Sequence, residues 1–215
     1  MTKNKLKNLL RTAFEKLYYY LAISVVFDLS FLCGLGIFSF ATSHIVAFNI
    51  YNKLANERYK EKVKIFKILK ENLLSNLKEN YKMSLIYILL LIIISLDIFY
   101  FSAVNGTLYK TLFYIFIILI FVILNAMIMS FFIKIMYPSL NLKENIQNSI
   151  SLIVVNIVDI LLLDILIGIT TYFLNKISFI LLILVFPGIY IELTYYVYKK
   201  ILEKKSISYL LFNIN

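Results

Sequence analysis

The sequence predicts an all-α fold, a polytopic transmembrane helical bundle of about six spans. Three observations carry this. Hydrophobic residues make up 61% of the 215 residues, and the mean hydropathy is +0.85, whereas a soluble domain needs far more polar surface to cover its core. Only five glycines and two prolines interrupt the chain, so long helices are its natural element, and the alternation that marks a membrane barrel is absent. Finally, several apolar runs match the roughly 30 Å of hydrocarbon that a helix must cross.

The first span is expected at 17–33. Lys3, Lys5, Lys7, Arg11 and Lys16 precede it, as they would in a signal peptide. No small-residue cleavage pattern follows, so it is read as a retained span. Gly34-Leu35-Gly36 makes the outer turn, and a second, less apolar stretch at 37–54 carries Thr42, Ser43, His44 and Asn49. It is read as a span, the alternative being a helix that dips against its neighbours. Residues 53–82 are rich in Lys, Glu and Asn. There Tyr59, Val63, Phe66, Leu69, Leu73, Leu77 and Tyr81 recur at three- and four-residue steps, the mark of an amphipathic helix. That helix would lie on the cytoplasmic membrane surface, dock on a partner, or extend the adjoining spans. Later spans are expected at 83–104, 108–137, 149–174 and 179–198. Between them lie Asn105-Gly106-Thr107, Pro138 with the polar connection 141–148, and Asn175-Lys176-Ile177-Ser178.

All of the Lys and Arg except Lys110 and Lys176 fall to one side of this arrangement. The positive-inside rule then puts the start of the first span, the end of the last and the long loop in the cytoplasm, which requires an even number of crossings. Tyr18, Tyr19, Tyr20, Tyr51, Tyr195, Tyr196 and Tyr198 cluster near that inner interface, where amphipathic rings settle. The expected location is a membrane with the lysine-rich side facing the cytoplasm, and lipid is the first expected partner.

Five carboxylates fall within the expected spans: Asp28, Asp97, Asp159, Asp164 and Glu192. Charge in hydrocarbon is costly and calls for an explanation. Asp28, Asp97 and Asp164 are expected in the outer half at broadly similar levels, Asp159 nearer the middle, and Glu192 in the inner half. No Lys or Arg lies deep enough to pair with the outer three. One reading is a polar cavity for a cation, proton or hydroxylated solute. The other is interhelical hydrogen bonding with Ser24, Ser95, Asn125 and Asn156, with Asn156 and Asp159 the best-placed pair. Pro187-Gly188 is expected to kink the last span or open its backbone, leaving room for Glu192.

Several chemistries are set aside. One cysteine, Cys33, allows no intrachain disulfide or cysteine metal cluster. One histidine, His44, allows no His-pair zinc motif and no recognisable triad. No Walker A sequence occurs, so the chain does not power transport with ATP itself. Gly34-x-Gly36 lacks the rest of a dinucleotide fingerprint. The net charge of +10 reports cytoplasmic loops rather than nucleic-acid binding, because the loop's aromatics fall on a helical stripe and make no stacking platform. No cofactor is expected.

The order of local patterns resembles the YesL-like family of bacterial integral membrane proteins. A Gly-containing turn leads into Gly36-Ile37-Phe38-Ser39-Phe40-Ala41-Thr42, then Tyr51-Asn52-Lys53-Leu54 and a basic segment with Phe66. Asn80-Tyr81-Lys82 enters a span that ends near Leu96-Asp97-Ile98-Phe99-Tyr100, and Tyr137-Pro138-Ser139-Leu140 is similar to the family's aromatic-proline step. The family's Gly-Pro at the second helix is missing here. The resemblance implies a non-enzymatic accessory role beside carbohydrate ABC transporters, with permease or ATPase subunits as partners. The rival is an autonomous small-solute or ion transporter or channel that uses the buried carboxylates. A membrane enzyme acting on lipid or envelope precursors has the least support.

Overall fold

A computed structural model describes residues 3–56 and 65–204, which form an all-α chain. Its helices are α1 (Lys3–Cys33), α2 (Phe40–Asn56), α3 (Ile65–Ala103), α4 (Thr107–Met136), α5 (Leu142–Val155), α6 (Ile157–Ile177) and α7 (Phe179–Leu202). Five of them, α1, α3, α4, α6 and α7, hold segments long and apolar enough to cross a membrane. The 17-residue α2 is not one of the five. Tyr59 and Val63 of the expected stripe lie outside the described residues. Phe66, Leu69, Leu73, Leu77 and Tyr81 belong to α3, which runs unbroken from Ile65 into the apolar segment.

α2 is the centre of the bundle. It touches α1, α3, α4 and α7, and every residue from Ala41 to Phe48 is buried, with Ile50, Tyr51 and Leu54. A helix enclosed by protein on all sides need not be apolar, so Thr42, Ser43 and His44 fit here where a lipid-facing helix would exclude them. The turn before α2 is tighter than an ordinary loop. Leu35 and Gly36 take positive φ (55° and 74°), and a Cβ on Gly34 would lie 2.5 Å from the Ser39 Cβ. In hydrocarbon no water satisfies free amides. The first turn of α2 is therefore tied by its neighbours: the Ala41 N–H donates to Ser84 Oγ of α3 at 2.9 Å, and Ser39 Oγ donates to the Phe31 carbonyl of α1 at 2.6 Å.

The fifth expected span, 149–174, is a correction. The chain breaks at Asn156 (φ −111°, ψ 32°) into α5 and α6. α5 starts from a capping box between Asn141 and Glu144 and buries Asn145, Asn148, Ser149, Leu152 and Ile153, packing on α4. The Asn145 amide donates to the Ser130 carbonyl at 3.1 Å. The break comes from Asn156, whose side-chain amide donates to the Leu152 carbonyl at 2.9 Å and competes with the helical ladder. A second correction concerns the tyrosines. Tyr18 and Tyr196 are exposed, but Tyr51, Tyr195 and Tyr198 are among the largest fully buried side chains. They pack at steep ring angles around Phe132 and each other with centroids 5.0–5.8 Å apart, so they are core residues and not interface anchors.

Packing is polarised along the bundle. The chain reverses at each turn, so the lysines of α3's first half, α4's end, α5 and α7's end share one end of the molecule, while Lys110 and Lys176 sit at the other. The buried core lies toward the lysine-rich end. No residue of 107–124 in α4, 164–177 in α6 or 179–184 in α7 is buried, nor any of 95–103 in α3. These outer segments pair as α3 with α4 and α6 with α7, forming two apolar arms. The α1–α2 turn meets α3 near Ile88, which shares a groove with Gly36 and Phe40. That level is about 22 Å short of the helix end at Ala103.

Pro187 lies inside α7 without ending it. The room beside Gly188 is filled by α1: an added Cβ would collide with the backbone of Tyr20, and the Gly188 N–H donates to Ser24 Oγ at 2.9 Å. Glu192 therefore does not occupy that space. Gly188→Val is expected to lower the melting temperature in detergent, with an overpacking cost of about 1–3 kcal/mol. Gly168→Ala, where nothing lies within 4 Å of an added Cβ, is expected to hold or raise it.

Candidate functional site

The sequence singled out Asp28, Asp97, Asn156, Asp159, Asp164 and Glu192. The structure distributes them over separate places. Asp164 is half-buried and accepts from the Asn125 amide of α4 at 2.9 Å, and the same amide also donates to the Phe121 carbonyl at 3.1 Å. Tyr198, on α7, donates to the Asn125 carbonyl at 3.4 Å. This small network joins α4, α6 and α7 at the level where the two arms separate.

Glu192 accepts from the Tyr51 hydroxyl at 3.1 Å, and Tyr195 donates to Asn52 Oδ1 at 2.5 Å. Both bonds tie α7 to the second half of α2. Asp159 is at the lysine-rich end of α6, in the helix's first turn, and not near mid-span. Lys204, just past α7, lies 2.5 Å from its carboxylate and 2.8 Å from Asn156 Oδ1. Asn156 and Asp159 do act together, then, but as a clasp for a lysine. With both side chains more than a third exposed, the ion pair contributes at most about 1 kcal/mol.

Asp28 and Asp97 are half-buried, and among the described residues neither has a hydrogen-bond or ion-pair partner. Nor do they share a level. Asp28 precedes the α1–α2 turn that meets α3 near Ile88, and Asp97 lies about 13 Å farther along α3. Ser24 serves Gly188 instead of an acid, and Ser95 is exposed. The outer three acids thus form no single cluster, and no group of three or more metal-ligating side chains occurs among the described residues.

His44 is a packed core residue. Its Nδ1 lies 2.9 Å from the Phe40 carbonyl. The rings of Phe27, Phe40, Phe131 and Tyr190 surround it with centroids 4.8–5.9 Å away. At the lysine-rich end, Lys134 pairs with Glu79 at 3.0 Å beside buried Asn80 and Asn145. A local pattern could have found the capping box and the Asn156–Asp159 pair. The Lys204 clasp, the Ser84 bond to α2 and the Tyr51–Glu192 bond join residues far apart in sequence, and no local signal announces them.

A double-mutant cycle with Asn125→Leu and Asp164→Leu is expected to give a coupling of about 0.6 kcal/mol, with ~1.7 as the ceiling for intramembrane hydrogen bonds. It should be insensitive to salt. The Lys204→Gln and Asp159→Asn cycle should fall toward zero in about 1 M salt, where exposed charges are screened. Reversible unfolding in mixed detergent micelles measures both.

No family model, curated protein or solved structure matches the chain.

Proposed function

We propose that this chain is a non-enzymatic, multi-span accessory subunit of a transport complex in a bacterial cytoplasmic membrane, with its lysine-rich end in the cytoplasm. One observation carries the reading. The polar groups of the packed half are used in separate interhelical ties at different levels, while the arms α3–α4 and α6–α7 hold exposed apolar residues such as Leu96, Phe99, Ile118, Ile165 and Phe173. A carrier brings polar groups together around a solute. A subunit offers apolar helix faces to other helices.

The orientation rests on the lysine asymmetry, and the even number of crossings on α2, which returns the chain from the α1–α2 turn to the lysine-rich end with its polar side chains against protein instead of lipid. The resemblance to YesL-like proteins makes the partner class more specific: the permease or ATPase subunits of a carbohydrate ABC importer, with the basic first half of α3 as a cytoplasmic contact. The rival reading, an autonomous solute or ion carrier, is favoured only by Asp28 and Asp97, half-buried and unpartnered among the described residues.

Copurification in mild detergent is expected to recover permease or ATPase subunits, and repeated recovery of the chain alone would contradict the subunit reading. Sugar uptake should fall when the chain is deleted. In a Cys33→Ser background, an impermeant thiol label applied to intact cells should reach Asn105→Cys and spare Lys143→Cys. Solute flux through the purified chain in vesicles, abolished by Asp28→Asn, would favour the carrier instead.

A further inference from the structure

At the lysine-rich end, one surface groove lies between α6 and α7, and a second, on α7 alone, adjoins it at Val197 and Lys200. One, of about 200 Å³, is walled by Leu162, Leu163, Leu166, Val197 and Ile201 and closed toward the helix ends by Asp159 and Lys200. The other, of about 420 Å³, shares Val197 and Lys200 and is bounded by Tyr196, Lys199 and Glu203. From the bundle's middle toward its end, the two adjoining grooves pass from leucine side chains to a pair of lysines beside a tyrosine.

The charges are unequal in availability. Asp159 is held by Lys204. Lys199 is only 4.0 Å from Glu203 and lies over the Tyr195 ring. Lys200 is exposed and has no hydrogen-bond or ion-pair partner among the described residues. It stands where the apolar slot opens into the polar mouth. We infer that this groove is a binding site for an anionic phospholipid, with the headgroup phosphate on Lys200 and Lys199 and an acyl chain along Leu162 and Leu166.

Charge complementarity selects an anion at the mouth. The apolar slot below it, continuous with the exposed face of α6, selects a lipid over a free phosphate. The order of polar and apolar groups matches a phospholipid in the leaflet at that end. The assignment needs α6 and α7 to cross the membrane, but does not depend on the subunit reading.

Native mass spectrometry of the detergent-solubilised protein with added phosphatidylglycerol, phosphatidylcholine or glycerol phosphate tests it. The wild type should retain phosphatidylglycerol over phosphatidylcholine. Lys200→Gln should reduce phosphatidylglycerol retention about fivefold, the worth of one lysine near an anionic headgroup. Lys110→Gln, at the opposite end, should leave it unchanged. Leu166→Trp, which fills the slot from an already exposed position, should reduce retention with Lys200 in place. Equal retention by the wild type and Lys200→Gln would overturn the site, as would an equal loss in Lys110→Gln. Full competition by glycerol phosphate, or no effect of Leu166→Trp, would overturn the lipid in favour of a phosphate alone.

Discussion

A polar helix can sit among membrane-crossing helices only if protein, and not lipid, meets its polar atoms. In this chain α2 sets that condition for the rest of the structure. α1 and α7 cover it on one side and α3 and α4 on the other. The Ala41 amide in its first turn is met by a serine of α3. His44 lies in a shell of aromatic rings, and Tyr51 and Asn52 are tied to α7. Remove the enclosure and each of these groups faces hydrocarbon unpaired. The close contact of Gly188 with α1 follows from the same requirement, since α7 must approach α1 to close the shell.

Because enclosing α2 uses one half of the bundle, the other half is left sparse. Its two arms consist of paired helices with large apolar side chains turned outward and no buried core of their own. Such surfaces suit lipid or neighbouring helices. The polar end is different in kind: there the Lys204 clasp, the Lys134–Glu79 pair and the α6–α7 groove bring charge to the bilayer boundary. The physical division is between a packed, charged end that fixes the fold and an apolar end that meets its surroundings.

Much of this was legible in the sequence where composition alone decides. The apolar runs located α4 and α7 to within a few residues and fixed the ends of α1 and α3, whose starts lie well before the expected spans because their first turns are polar; α6 was merged with part of α5, and the lysine pattern separated the two ends. Asn125 was named as a partner for a buried acid and meets Asp164. What stayed hidden depended on tertiary neighbours. The run from Ser149 to Leu174 is nearly continuous in hydropathy, so the break at Asn156 left little trace beyond the asparagine itself. Tyr51, Tyr195 and Tyr198 have the chemistry of interface residues, and only packing against Phe132 makes them core. Asp159 was placed too deep because the same continuous run concealed where α6 begins. Asp28 and Asp97 do not share one level, because the α1–α2 turn meets α3 well short of the α3–α4 turn, and distance from a turn is then no measure of depth.

The chain contains no tryptophan, so a single introduced indole reports its surroundings without background. Phe48→Trp places it in α2, where the phenylalanine is fully buried, and Phe99→Trp places it on an arm, where the phenylalanine is 74% exposed. In vesicles of lipids brominated on their acyl chains, the account predicts strong quenching of the arm indole and little of the one in α2. Equal quenching at the two positions, in folded protein, would show that lipid reaches α2 and would contradict the enclosure on which the structure rests.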